Sequence, residues 1–354
     1  MVTTTEVDGL KMDIIRYGIY VVMGPTLLLT NLVIVLIIGR HKALRQLKEY
    51  TIIGALALAD SFGGLADTCA GLYRLNVLFT GRYSVTVSRR DCFLTAHVLI
   101  WTVSLPLQAM MLCVVSADRY LAVSDPLKYV GLTQGYALFV SAAVYLLCFS
   151  LLPLAGASVW SENQTNVNII CNVAWGYSPM VFEVIYGIRC FCVFFSILVF
   201  LLVLRLFNKI STEDSLAEAG LNGPSLEIEL KRQKKLTKSL AISCLFTFFL
   251  TALPITALFL SSLTDFYYYE ISVSAHQLSN LNPTLNLFIY LRRHADLRSG
   301  LRAIFECRAM PENLAHWTAK SQLENKATKK RTCSIRNRRV SCKPKVDQLS
   351  LHSV

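Results

Sequence analysis

Charge is scarce in this chain. Only 16% of its 354 residues are Asp, Glu, Lys or Arg, against about a quarter in ordinary soluble domains. Hydrophobic residues make up 54% and mean hydropathy is +0.47, which excludes an ordinary soluble domain. Histidine is scarce too. Six are scattered without metal-ligand spacing, and no carboxylate or nucleophile cluster marks an enzyme, so neither metal nor cofactor is expected. Internal repeats and paired broken helices, the signs of a membrane transporter, are missing, which leaves that class as the rival reading. The first apolar run is too long for a cleavable leader and lacks a convincing cleavage site.

What the chain has is membrane-length apolar sequence. Seven runs, at about 14–39, 51–73, 92–123, 135–158, 180–207, 238–262 and 268–291, are each long enough to cross a bilayer as a helix. They predict an all-α membrane protein: an outer N-terminus (1–13), one seven-helix bundle (14–291), an amphipathic surface helix (292–306) and a disordered basic tail (307–354). With the N-terminus outside, 28 of the 35 Lys and Arg fall on the inner side, as the positive-inside rule requires. The net charge of +12 then belongs to the inner membrane surface, and not to nucleic-acid binding.

The third run ends abruptly in Asp118-Arg119-Tyr120. Counted as a helix, the separation of 27 positions between Cys92 and Arg119 extends roughly 40 Å, so the two positions mark opposite membrane faces. In the first run Asn31 is an amide in an apolar helix, suited to an interhelical hydrogen bond. In the second, Asp60, Asp67 and Arg74 recur every seven residues and share one face. Asp60 sits near mid-depth and needs a cation, a proton or several donors. Asp67 and Arg74 either pair within the helix or line a pocket.

Of eleven cysteines, only Cys92 and Cys171 fall clearly in outer segments, where disulfides form and persist. The same outer loop holds the glycosylation sequon Asn163-Gln164-Thr165. Glu183, near the outer end of the fifth run, either reaches water or lines the pocket rim. Between the fifth and sixth runs a polar loop ends in Lys231-Arg232-Gln233-Lys234-Lys235. Pro254 predicts a kink in the sixth run. The seventh carries Ser274, His276, Gln277, Asn280, Asn282, Asn286 and Tyr290, too polar a set to face lipid. Beyond it, Leu297, Leu301, Ile304 and Phe305 suit a helix lying on the inner leaflet, and Cys307 is a candidate for palmitoylation. Arg338-Arg339-Val340-Ser341 matches a basophilic kinase site.

Together, Asn31, Asp60, Cys92 with Cys171, Asp118-Arg119-Tyr120, Pro254 and the polar seventh run resemble the rhodopsin-like G-protein-coupled receptors over about residues 14–305. The stretch Met111–Tyr129 and the end of the seventh run, Asn282–Tyr290, resemble the nematode serpentine chemoreceptors of class SX. The resemblance implies a ligand-activated exchange catalyst for a heterotrimeric G protein, with kinase and arrestin acting at the tail. It gives Asp118 the restraint of Arg119, and Arg119, Tyr120, Lys234, Asn286 and Tyr290 the coupling. It makes Asp60, Asn282 and Asn286 a sodium-type polar cluster, with Gln108 where many relatives carry a small hydroxyl. Amine receptors of the family carry Asp eighteen residues before the Arg, and Trp101 stands there. Trp101, His276, Asp67 and Glu183 are the pocket candidates, for an odorant, a small metabolite or a short peptide, including a neuropeptide. Departures from the family pattern are Ala252 at the aromatic switch, no Trp in the fourth span and no Pro in the fifth. Cys92 also stands two residues further from Arg119 than usual, which predicts a bulge.

Overall fold

A computed structural model describes residues 4–162, 164–210, 246–264, 268–293 and 295–306. Lys234, Asn163, Cys307 and the basic tail lie outside the described residues. Five long helices carry most of the chain: α1 (Thr4–Arg40), α3 (Lys48–Phe79), α5 (Ala96–Ser124), α7 (Gln134–Val159) and α8 (Pro179–Ile210). Short helices α2 (Lys42–Arg45), α4 (Arg89–Phe93) and α6 (Pro126–Gly131) sit between them. The sixth span continues as α9 (Leu253–Thr264), followed by α10 (Tyr268–Arg293) and α11 (Ala295–Phe305).

Among the described residues, five helices are long and apolar enough to cross a membrane by composition. The sixth span is described only from residue 246, and α10 is long enough but dilutes its apolar side chains with amides and hydroxyls. In α7 the buried residues Ala137, Ser141, Cys148, Ala155 and Val159 form one narrow stripe. Large side chains such as Phe139 and Leu146 point outward from the same helix, the pattern of a helix turned to lipid.

Helices α1 and α3 touch backbone to backbone. A Cβ on Gly64 would lie 2.5 Å from the Leu28 nitrogen, and one on Gly24 would lie 2.6 Å from the Thr68 nitrogen. Small residues at such crossings let dispersion and close packing replace the hydrophobic drive that lipid removes. Asn31 locks the bundle further, donating to the carbonyls of Leu27 at 3.0 Å and Pro283 at 3.3 Å. The interhelical bond ties α1 to α10.

Some elements differ from the expectation. Helix α1 begins at Thr4, inside the segment expected to be a separate N-terminus, because the helix simply extends beyond its apolar run. The long Cys92–Arg119 spacing is not absorbed by a bulge inside one helix. Cys92 lies in α4, Leu94 and Thr95 break the path, and α5 starts at Ala96. Ser88 caps α4 by accepting from the Asp91 amide at 3.1 Å. In the sixth span a π-turn, Phe248–Ala252, precedes Pro254. Pro254 has no N–H for the Leu250 carbonyl, and widening the turn is one way a helix accommodates that loss.

The end of the bundle nearest Cys92, termed outer here, carries a strapped lid. Strands β1 (Thr86–Ser88) and β2 (Thr165–Asn168) pair antiparallel, joining the first and second outer loops. Cys92 and Cys171 are disulfide-bonded. Cys171 has φ of 51°, a left-handed conformation uncommon outside glycine. Its carbonyl accepts from Arg74 at 3.2 Å and from His97 at 3.0 Å, and Tyr73 donates to Ile169 at 2.9 Å. Because one bond needs both thiols, Cys92→Ser and Cys171→Ser should each lower surface expression to a similar level, with little further loss in the double variant. Additive losses on quantitative surface labelling would contradict a shared bond.

At the opposite end, termed inner, α11 lies against the end of α1 and the turn that follows it. Leu297 is buried while Arg298 and Arg302 are exposed. Asp296 accepts from the Tyr50 hydroxyl at 3.0 Å, and the His41 ring bonds the Gly300 carbonyl at 3.0 Å. A Cβ on Gly300 would meet Ile37 at 2.8 Å, so glycine permits the close seat. Arg292 and Arg293 finish α10 and do not begin the surface helix.

Candidate functional site

Three polar layers run through the bundle. The innermost is a latch built on neighbouring residues. Asp118 and Arg119 are both buried. Arg119 Nε donates to Asp118 Oδ2 at 3.0 Å, and its Nη2 reaches the same oxygen. The Tyr129 hydroxyl donates to Asp118 Oδ2 at 3.2 Å and accepts from Arg119 Nη2 at 2.9 Å. Tyr129 is supplied by α6 and is itself held. Lys48 Nζ lies 3.9 Å from the centre of its ring and bonds its carbonyl and that of Leu132. Burial pushes the Tyr129 phenol above its ordinary range, with Arg119 pulling the other way, so it stays a donor at neutral pH. At the far end of α6's cap, the hydrogen bond from Lys128 holds the exposed Asp125 carboxyl below its usual value. Tyr120 faces outward and is exposed.

The middle layer is a cavity of about 780 Å³ lined by residues of α3, α5, α8, the sixth span and α10. Asn286 and Gln108 turn their amides to the buried Asp60 carboxylate. Gly63 makes room for this, since any Cβ there would lie 2.4 Å from Gln108 Nε2. Asn282 lines the same cavity but donates to Thr247 at 3.0 Å. Tyr290 closes the inner end. The Gln108 amide occupies space that a cation and its waters would need beside Asp60. Sodium should therefore shift agonist affinity only weakly, and Gln108→Ser should enlarge that shift several-fold. Strong sodium inhibition of agonist binding in the unmodified protein would contradict this.

The outer layer centres on Asp67. Its carboxylate accepts from Trp101 Nε1 at 3.0 Å, His276 Nε2 at 2.8 Å and Asn280 Nδ2 at 2.6 Å. Three helices meet on one acid. Asp67 and Arg74 are not paired within α3. Arg74 instead donates to the carbonyls of Ile170 and Cys171 and packs over Tyr17, Tyr20 and Trp101. Trp101, His276, Arg74 and Tyr186 line a smaller outer cavity of about 320 Å³. Glu183 lines neither cavity. It is exposed near the start of α8.

Sequence reasoning gave no role to Tyr129, Lys48 or Arg189. Arg189 is buried in α8 and lines the middle cavity. The signal available for it was a lone cation inside an apolar run.

An acid-base latch at one end, polar cavities in the core and a disulfide-strapped lid at the other define a seven-helix membrane receptor. The model of the 7 transmembrane receptor (rhodopsin family) matches residues 30–291, and the chain belongs to that family. It is 29% identical over 142 residues to the octopamine receptor beta-1R of Drosophila melanogaster, covering 39% of this chain and 26% of that receptor. It is 25% identical over 301 residues to trace amine-associated receptor 8c of Rattus norvegicus, covering 78% of this chain and 83% of that receptor.

Proposed function

We propose that this receptor converts binding of an extracellular small molecule or short peptide into nucleotide exchange on a heterotrimeric G protein, in a chemosensory role. The observation that carries this is the buried Asp118–Arg119–Tyr129 latch at one end of a bundle with a polar core. A buried ion pair at the membrane edge, steadied by a third side chain, is a local element that a change of state can break. In the resting state Asp118 and Tyr129 occupy the guanidinium. An agonist that favours an opened inner face shifts the population toward a state in which Arg119 meets the G protein. Lys and Arg concentrated on the latch side support an outer N-terminus and a plasma-membrane setting. Kinase and arrestin action at the tail belongs to the same reading, as does the resemblance to class SX chemoreceptors.

Both relatives carry amines in their names, but that specificity does not transfer to this chain. Trp101 stands where amine receptors of the family place an Asp, and it spends its N–H on Asp67. The test is a chemical panel read with reporters for several G-protein classes, with agonist affinity measured with and without a non-hydrolysable GTP analogue. A guanine-nucleotide-sensitive affinity supports the receptor reading. Solute flux that proceeds without G protein overturns it in favour of transport.

A further inference from the structure

Among the described residues, the outer half of the bundle buries two acids and two arginines, and the acids are spent on neutral donors. Arg189 is buried at 4% exposure and lines the middle cavity together with Asp60, Gln108, Thr251 and Asn280. Its guanidinium bonds the Tyr186 side chain one turn earlier and lies 5.8 Å from that ring. Among the described residues no carboxylate reaches ion-pair distance of it, and no further partner is present. Asp67 exerts a longer-range pull, but its oxygens are already taken by Trp101, His276 and Asn280. Asp60 is turned to Asn286 and Gln108. Arg74, the second buried cation on this side, is likewise met by carbonyls and rings and by no carboxylate.

Tyr186, the partner of Arg189, lines the outer cavity beside Arg74 and His276, so the two cavities are separated by a bonded pair of side chains one turn apart. Arg74 lines the outer cavity and Arg189 the middle one, so each cavity on this side presents a guanidinium. Arginine cannot shed its proton in such a site. Its planar fork of donors matches a carboxylate in two parallel bonds. A guanidinium kept in a membrane interior with no carboxylate at ion-pair distance among the described residues is complementary to a counter-charge that arrives with the ligand.

We propose that the receptor recognises ligands bearing a carboxylate, with Arg189 as the counter-charge in the middle cavity. This rests on the receptor reading above and names the ligand class. Amine ligands are disfavoured by the same charge.

The test uses full-length receptor in lipid nanodiscs and a panel of small aliphatic and aromatic monocarboxylic acids. Each acid is paired with its methyl ester and with the amine of the same skeleton. Thermal unfolding reads binding without any G protein, and reporter cells read signalling separately. The expected result is stabilisation by some acids, with esters and amines of the same skeleton weaker by about tenfold or more. Arg189→Met should abolish that stabilisation while leaving the unliganded receptor at least as stable, because an uncompensated buried charge is removed. Arg189→Lys should keep part of the response. If acids stabilise the wild type through Arg189 but no G protein responds, the anion site stands and the signalling reading falls. If amines or esters bind as well as acids, if no acid stabilises the receptor, or if Arg189→Met binds acids normally, the proposal is overturned. An unliganded Arg189→Met that unfolds well below the wild type would make Arg189 a structural residue and also overturn it.

Discussion

Replacing Arg119 with Ala should abolish G-protein activation, while Tyr129→Phe and Asp118→Asn should each raise activity without ligand. Tyr129→Phe removes one hydroxyl that touches both members of the pair. A single buried hydrogen bond contributes about 1 kcal/mol, so the active population should rise roughly fivefold. Asp118→Asn removes the charge that holds the guanidinium, and charge-assisted bonds contribute about 1.5–3 kcal/mol, so basal activity should rise at least tenfold. Lys234 supplies a third lever. It stands twenty residues before Pro254, where many relatives restrain the Arg with an acid. Lys234→Glu should therefore lower basal signalling. Basal exchange at matched surface expression checks all four, and a Tyr129→Phe receptor as quiet as the wild type would remove Tyr129 from the latch.

Asp67→Ala should cost more stability than any other single change on the ligand side. The carboxylate is the shared acceptor for donors on α5 and α10. Its deletion leaves buried donors unmatched, at about 1–3 kcal/mol for each. A total of about 3–5 kcal/mol corresponds to a fall of roughly 10 °C in the unfolding temperature. Asp67→Asn keeps one carbonyl oxygen for Trp101 and His276 but opposes an amide to Asn280, and should fall between. Thermal unfolding of purified receptor measures the order. An Asp67→Ala receptor as stable as the wild type would show that the three donors find other partners.

The architecture was legible in the sequence because membrane thickness fixes helix length locally. The cysteine pairing was legible because only Cys92 and Cys171 fall in outer segments, and the inward face of the seventh helix because amides cannot face lipid. Partner choice was not legible. Asp67 and Arg74 sit two turns apart on one face, yet each bonds across to other elements, because Trp101, His276 and the second outer loop offer better geometry. Tyr129 lies ten residues beyond Arg119, and only the fold of α6 returns it to the pair. The Leu94–Thr95 break and the π-turn before Pro254 both settle local conflicts that a count of spacing registers without resolving. Arg189 was visible as a charge in an apolar run, but its isolation depends on what every neighbouring helix fails to bring near it.

Guanine-nucleotide exchange on purified heterotrimer, catalysed by the reconstituted full-length receptor, tests the central claim most directly. The account predicts ligand-free exchange above the receptor-free rate, increased by Tyr129→Phe and lost in Arg119→Ala receptor that still folds and reaches the membrane. Exchange that is the same with wild-type receptor, with Arg119→Ala and with empty nanodiscs, across every G-protein class, would contradict it.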